Sequence, residues 1–197
     1  IQASLVGSEM CIRDSLFEDP SNLYRSLEHY RTSFKSHTEA MWVSKLGLRQ
    51  SAPGDDELVA QLVSLLRVVE TDMTIFFRSL GTIDGLNPLD MAHAYYDEAA
   101  LPVDELGLWL GKWWSRVDGD PDREAMNNAN PKYVLRNWMS QLAIEAAEAD
   151  DYSVAIELQD LLRAPYEEQP SSQDRWYKKR PEWARHKVGC SMLSCSS

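Results

Sequence analysis

The chain has 197 residues, is 44% hydrophobic and 26% charged, and carries a formal net charge of −11. That size and apolar content suit one domain, or a large piece of one, with enough material for a core. The acidic balance argues against a nucleic-acid partner, whose phosphates need a positive face, and no window approaches the roughly 18 consecutive apolar residues of a membrane span.

Residues 1–15 do not read as the start of a domain. The run from Leu5 to Ser15 resembles translated sequencing-adapter read-through and is set aside as a non-native leader. On that reading the natural chain begins further upstream. From Ser21, an N-cap after Pro20, the apolar positions Leu23, Leu27, Tyr30, Phe34 and Met41 recur at helical spacing. The helix is expected to stop at Lys45-Leu46-Gly47-Leu48, with Gly47 in the left-handed position after the last turn. Pro53, Gly54, Asp55 and Asp56 form a turn, and Leu58, Leu62, Leu65, Leu66, Val69, Met73, Phe76, Phe77 and Leu80 then predict one long buried helix up to Gly81. Asn87-Pro88 opens a shorter helix, and Pro102-Val103-Asp104 opens another through Leu106, Trp109, Leu110 and Trp113. Asp120-Pro121 and Asn130-Pro131 each read as N-cap and first helical residue. The second of these predicts the clearest helix, through Val134, Leu135, Trp138, Met139 and Leu142, which Asp150-Asp151 break before a further helix from about Ser153 to Arg163.

Beyond Pro165 the composition predicts irregular chain. Residues 171–187 hold Arg175, Lys178, Lys179, Arg180, Arg185 and Lys187 against Asp174 and Glu182, a local +4 that leaves −15 on the remainder. A basic tail beside an acidic body is expected to fold back on it; recruitment of an acidic partner is the other reading. No strand alternation persists, so the fold class is all-α with five to seven helices, residues 16–165 forming the helical body and residues 166–197 the tail.

Several chemistries are excluded by motif. The nine Gly form neither GxGxxG nor GxxxxGK[ST], so no phosphate-cradling loop is present. There is no HExxH, CxxC or ExxH, and His29, His37, His93 and His186 stand apart without ligand spacing. Asp118-Gly119-Asp120-Pro121-Asp122 resembles a calcium loop but has Ala129 where the bidentate Glu belongs, so a turn with a helix cap is the better reading. Trp109, Trp113 and Trp114 form an aromatic run; its helical spacing assigns Trp109 and Trp113 to the core rather than to a stacking platform.

Five segments in one order carry a resemblance. They are Lys45-Leu46-Gly47-Leu48, the run Asp72 to Leu80, Asn130-Pro131-Lys132-Tyr133-Val134-Leu135-Arg136-Asn137, Pro165-Tyr166-Glu167-Glu168-Gln169-Pro170, and the ending Ser194-Cys195-Ser196-Ser197. Together they resemble the carboxy-terminal part of the selenoprotein O (SelO, YdiU) family of protein adenylyltransferases. Ala164 stands where that family usually has Asn. The resemblance implies a helical part of a protein-kinase-like (pseudokinase) fold. The whole protein would then bind ATP with Mg2+ and transfer AMP to Ser, Thr or Tyr hydroxyls of protein substrates. It also implies that the ATP- and metal-contacting residues lie upstream, so no catalytic, cofactor-binding or metal residue is assigned in this chain, and its partner would be the upstream catalytic lobe. A bacterial source would place such a protein in the cytoplasm, a eukaryotic one in mitochondria. The alternative is a non-enzymatic all-α interaction module.

Cys195, two residues from the end and flanked by Ser194 and Ser196, is the one residue with a transferable role. An exposed thiol on a mobile tail suits thiol–disulfide exchange, and the resemblance implies a reversible bridge to a Cys near the active site. Cys190 is a local competitor. Taken without the resemblance, the pair reads as two reduced thiols on a loose end.

Overall fold

The structure is a computed structural model that describes residues 21–187 and residue 190. Residues 1–15, read above as a leader, and the thiol of Cys195 lie outside the described residues. Among the described residues there are eight α-helices, three 3-10 helices and no strand beyond one antiparallel bridge, Thr71 to Tyr95. The fold class is all-α. The α-helix count exceeds the predicted five to seven because one predicted helix divides and one arises in the tail, while the helix predicted from Asn87-Pro88 is a 3-10 turn.

The chain divides into two compact units, residues 1–41 and 42–197. In the first unit, residues 21–41 form most of α1 (Ser21–Lys45), which buries no side chain. Its apolar stripe is half-buried at Leu23 and Leu27 and exposed at Tyr30, Phe34 and Met41, with the rings of Tyr30 and Phe34 stacked at 5.9 Å.

The second unit begins with the last turn of α1. Leu48 N–H reaches Val43 O at 2.8 Å and Gly47 N–H reaches Ser44 O at 3.2 Å, a Schellman ending around Gly47 at φ +66°. A β-carbon there would stand 2.8 Å from Met126 Sδ, so glycine answers both a backbone and a packing demand. Then come α2 (Asp55–Val68), α3 (Met73–Leu80), 3-10 turns at Pro88–Ala94 and Glu98–Ala100, and α4 (Val103–Arg116). They surround a core centred on Leu46, Leu62, Phe76, Leu80, Leu106, Leu110 and Trp113, all fully buried. Burying each such side chain is worth about 1.5–3 kcal/mol. Trp109 and Trp113 lie parallel at 6.2 Å. Their indole N–H groups donate to Leu58 O at 2.9 Å and Leu46 O at 2.8 Å, which lets amphipathic rings enter an apolar core.

The single long helix predicted across 58–80 is two helices. Val69 is extended (φ −127°, ψ 139°) and Asp72 accepts from Ile75 N–H at 3.1 Å as the N-cap of α3. Asp72 N–H to Ala94 O (2.8 Å) and Tyr96 N–H to Glu70 O (2.9 Å) hold the break in place. A cap and two long-range bonds here outweigh helical propensity at a β-branched step.

The third stretch contains α5 (Arg123–Ala129), α6 (Asn137–Glu148), α7 (Ser153–Arg163), α8 (Pro170–Trp176) and a 3-10 turn at Glu182–Ala184. Both Pro-based helix starts are displaced. Asp122, not Asp120, caps α5 by accepting from Ala125 N–H at 3.0 Å, while Asp120 pairs with Arg49 at 2.5 Å. Helix α6 starts at Asn137 rather than Pro131, because Lys132 and Tyr133 donate their N–H groups to Pro165 O (2.8 and 3.0 Å) instead of entering a helix. A second core joins Tyr133, Trp138, Met139, Leu158, Leu161, Trp176, Ala184 and Cys190. Part of the tail predicted to be irregular is therefore helical and packed, with Trp176 and Ala184 buried. The tail also folds back on the acidic body: Arg180 and Arg185 pair with Glu70, Lys179 with Glu98, and Lys187 with Glu145.

Candidate functional site, a cation cluster closed by Glu168

The motif segments converge on one polar cluster between the two cores. Arg78, from the last turn of α3, donates to Asn127 O (3.3 Å), Asn130 O (3.2 Å) and Tyr166 O (3.3 Å), and its other terminal nitrogen pairs with Glu168. Lys132 pairs with the second carboxylate oxygen of Glu168 at 2.5 Å and donates to Gln173 Oε1 at 2.8 Å. Both cation side chains are 6% exposed, whereas the Glu168 side chain is 65% exposed. Two desolvated cations thus meet one carboxylate that stands in solvent. The hydrogen bond from Lys132 is the largest influence on the Glu168 carboxyl; burial opposes it next, and the Lys132 charge with Arg78 tips the balance, holding the carboxyl below its usual range.

Each partner is positioned from the backbone. Tyr133 OH donates to Glu168 O (2.8 Å), and Gln169, at φ +40°, turns its amide to donate to Leu161 O (3.0 Å) and Ala164 O (2.7 Å), closing the end of α7. Pro170 then opens α8. Asn130 and Lys45 clasp each other: Lys45 Nζ donates to Asn130 Oδ1 (2.7 Å) and Asn130 Nδ2 donates to Lys45 O (3.0 Å). Lys45 also lies 4.3 Å over the Phe77 ring, and burial lowers its pKa. Arg136 forms a two-pronged pair with Asp72, the cap of α3. Burial is the largest single influence on that guanidinium and works against its charge, but the Asp72 hydrogen bond and charge, with Tyr96 and Tyr177, together outweigh it and raise its pKa.

What this cluster can do chemically is narrow. Ser79 and His93 stand 2.7 Å apart, the spacing of a nucleophile and base. Ser79 Oγ also back-bonds to Ile75 O at 2.7 Å, as helical serines do, so that carbonyl competes with His93 for its one hydrogen. Arg78 and Lys132 are committed to protein acceptors, and among the described residues no group of three or more His, Cys, Asp or Glu could hold a metal. As arranged, this cluster offers neither a free cation for phosphate nor a carboxylate set for Mg2+. The cluster is a joint.

Of the candidate redox thiols, Cys195 lies outside the described residues. Cys190 is buried in the second core, and its carbonyl accepts from Asn137 Nδ2 at 3.2 Å. Sequence reasoning named the segments that hold Arg78, Lys132 and Glu168 without pairing them. The available signal was two cations in separate segments, each beside an aromatic residue (Phe77, Tyr133) that draws it toward a core, and an acid in a third, polar segment.

A family model described as protein adenylyltransferase SelO matches residues 8–163. The chain belongs to the SelO family. It is 42% identical over 196 residues to the protein nucleotidyltransferase YdiU of Flavobacterium johnsoniae, covering 92% of this chain and 37% of that relative. It is 41% identical to the YdiU proteins of Rhodopirellula baltica (92% of this chain, 38% of the relative) and Aromatoleum aromaticum (89% and 35%). The chain thus spans little more than a third of the length of these curated relatives. Four of the segments that carry the resemblance to the SelO family supply the polar joint: Lys45, Asp72 with Arg78, Asn130 with Lys132 and Arg136, and Glu168.

Proposed function

We propose that this chain is the carboxy-terminal helical part of a protein adenylyltransferase with a kinase-like fold. The whole protein would transfer AMP from ATP, bound with Mg2+, to Ser, Thr or Tyr hydroxyls of protein substrates. The observation that carries the reading is 42% identity across 92% of this chain to a protein named as a nucleotidyltransferase. In this reading the nucleotide pocket belongs to residues upstream, and the helices here buttress it. The chemistry of the joint agrees: its cations are spent on carbonyls and Glu168, so it can stiffen a neighbouring lobe but offers no cradle for phosphates. Cys195 is assigned the redox role, bridging reversibly to an upstream Cys and tuning activity.

The test compares two proteins. The complete family protein containing this chain, given ATP and Mg2+, is expected to leave AMP on protein hydroxyls, detected by intact-mass and peptide mass spectrometry. Residues 16–197 alone are expected to neither bind ATP by calorimetry nor label protein. Tight ATP binding or AMP transfer by residues 16–197 alone would end the proposal. For the thiol, peptide mapping of the oxidised complete protein should find Cys195 in a disulfide; recovery of Cys195 only as free thiol rejects that role.

A further inference from the structure

Tyr177 packs against both cores; beyond it, the segment 178–187 crosses the body of the second unit chiefly on charges. Arg180 and Arg185 both reach the single carboxylate of Glu70, at 2.7 and 3.3 Å, and both guanidinium groups lie over the Tyr96 ring, at 5.2 and 6.0 Å. Arg180 N–H adds a bond to Tyr96 OH at 2.9 Å, and Lys179 Nζ reaches Tyr95 O at 2.6 Å and Glu98 at 3.0 Å. Further on, Lys187 pairs with Glu145 on α6 and stands 5.3 Å from the Trp183 ring centre. The apolar anchorage between these points is slight. Ala184 is buried, but its side chain is a methyl group, and Trp183 is exposed. Cys190 N–H bonds to Lys187 O at 3.1 Å, and the Cys190 side chain belongs to the second core.

We infer that residues 178–187 are an ionic strap, hinged at Tyr177 and buckled on Glu70 and on Glu145, whose closure keeps the Cys190 thiol out of reach of solvent. The helical cores on either side are held by large apolar side chains, whereas the strap is held by partly exposed ion pairs. Such pairs are individually weak and are screened by salt, so the strap opens before the helices do. Opening delivers Cys190 to solvent without unfolding α6 or α7. The two buckles act in series. Glu70 holds the middle of the strap and the Tyr96 stack, and Glu145 holds Lys187, to whose carbonyl Cys190 is bonded.

The experiment measures alkylation of Cys190 by iodoacetamide in the full chain, with Cys11→Ser and Cys195→Ser leaving one thiol. In low salt, Cys190 should react far more slowly than in guanidinium chloride. Glu70→Gln with Glu145→Gln should raise its rate about tenfold, the effect of losing two exposed ion-pair sites, with far-ultraviolet dichroism unchanged. Salt at about 1 M, where the screening length is about 3 Å, should accelerate the parent protein comparably and the double variant little. Equal rates in parent and double variant, with no response to salt, would overturn the strap. So would a parent thiol that already reacts at the denatured rate, or a double variant that loses its cooperative fold, since the segment would then be core rather than strap.

Discussion

Replacing Glu168 by Gln removes one charge and almost no volume from the joint. Arg78 keeps its three carbonyl acceptors and Lys132 keeps Gln173. What is lost is the ionic share of two bonds, and the new amide turns a donor toward one of the two cations. Charge-assisted bonds contribute about 1.5–3 kcal/mol each and neutral ones about 1, while the 65% exposure of the carboxylate lets water recover part of the difference. The expected cost is about 1.5–2.5 kcal/mol, a fall of roughly 3–8 °C in Tm. Lys132→Met should cost less, about 1 kcal/mol or below, because Glu168 then keeps Arg78 and one desolvated cation disappears. The pH dependence follows. A carboxyl lowered in the folded state stabilises above its ordinary value of 4.5 and loses that contribution as pH falls through the folded value; the Gln variant should lack this acid loss. Urea denaturation of the three proteins at pH 7 and pH 3.5 reads both effects. A Lys132→Met cost exceeding that of Glu168→Gln, or an unchanged acid profile in the Gln variant, would refute the account of two cations on one carboxylate.

Two buried tryptophans should respond differently to Phe. Trp113→Phe strands Leu46 O and should cost about 1–3 kcal/mol. In Trp138 the indole Nε1 finds no acceptor among the described residues, so Trp138→Phe should cost about 1 kcal/mol or less; urea midpoints decide. Gly47→Ala must take φ +66° and push against Met126 Sδ, for about 1–3 kcal/mol. Adding Met126→Ala should not restore the parent Tm, because the backbone strain persists. Burial pushes Tyr95 and Tyr177 up to about 12. An unfolded phenol titrates near pH 10, so stability holds below pH 10 and is lost between pH 10 and about 12. Burial also raises Tyr133, so tyrosinate absorbance should show three of the eight Tyr lagging; eight titrating together near pH 10 with intact dichroism would contradict the burial.

The elements legible in the sequence were those whose signal is local. Pro102-Val103-Asp104 opened α4 where the pattern placed it, Ser153–Arg163 matched α7 in full, and Gly47 took the left-handed turn. Misreadings arose where a distant partner outweighs the local signal. Asn130-Pro131 has the form of a helix start, but the N–H groups that follow belong to Pro165 O, and the Asn130 side chain belongs to Lys45. The break at Val69 depends on Ala94 and Glu70 backbone bonds that no spacing reveals. The joint was half legible. Its residues sat in the segments that carried the family resemblance, but a pairing of Arg78 with Glu168, 90 positions on, leaves no trace in periodicity.

The paired N–H groups of Lys132 and Tyr133 on Pro165 O close the base of the hairpin formed by α6 and α7. Everything between that clasp and the tip at Ala149–Asp151 is one out-and-back excursion of the chain. At its far end Asp150 sits at φ +60° with exposed neighbours, and lengthening a surface turn costs only logarithmically in loop length. The tip is thus a natural graft point. A reporter peptide or fluorophore spliced in after Asp150 would ride on a stiff two-helix arm while leaving both the joint and the strap undisturbed.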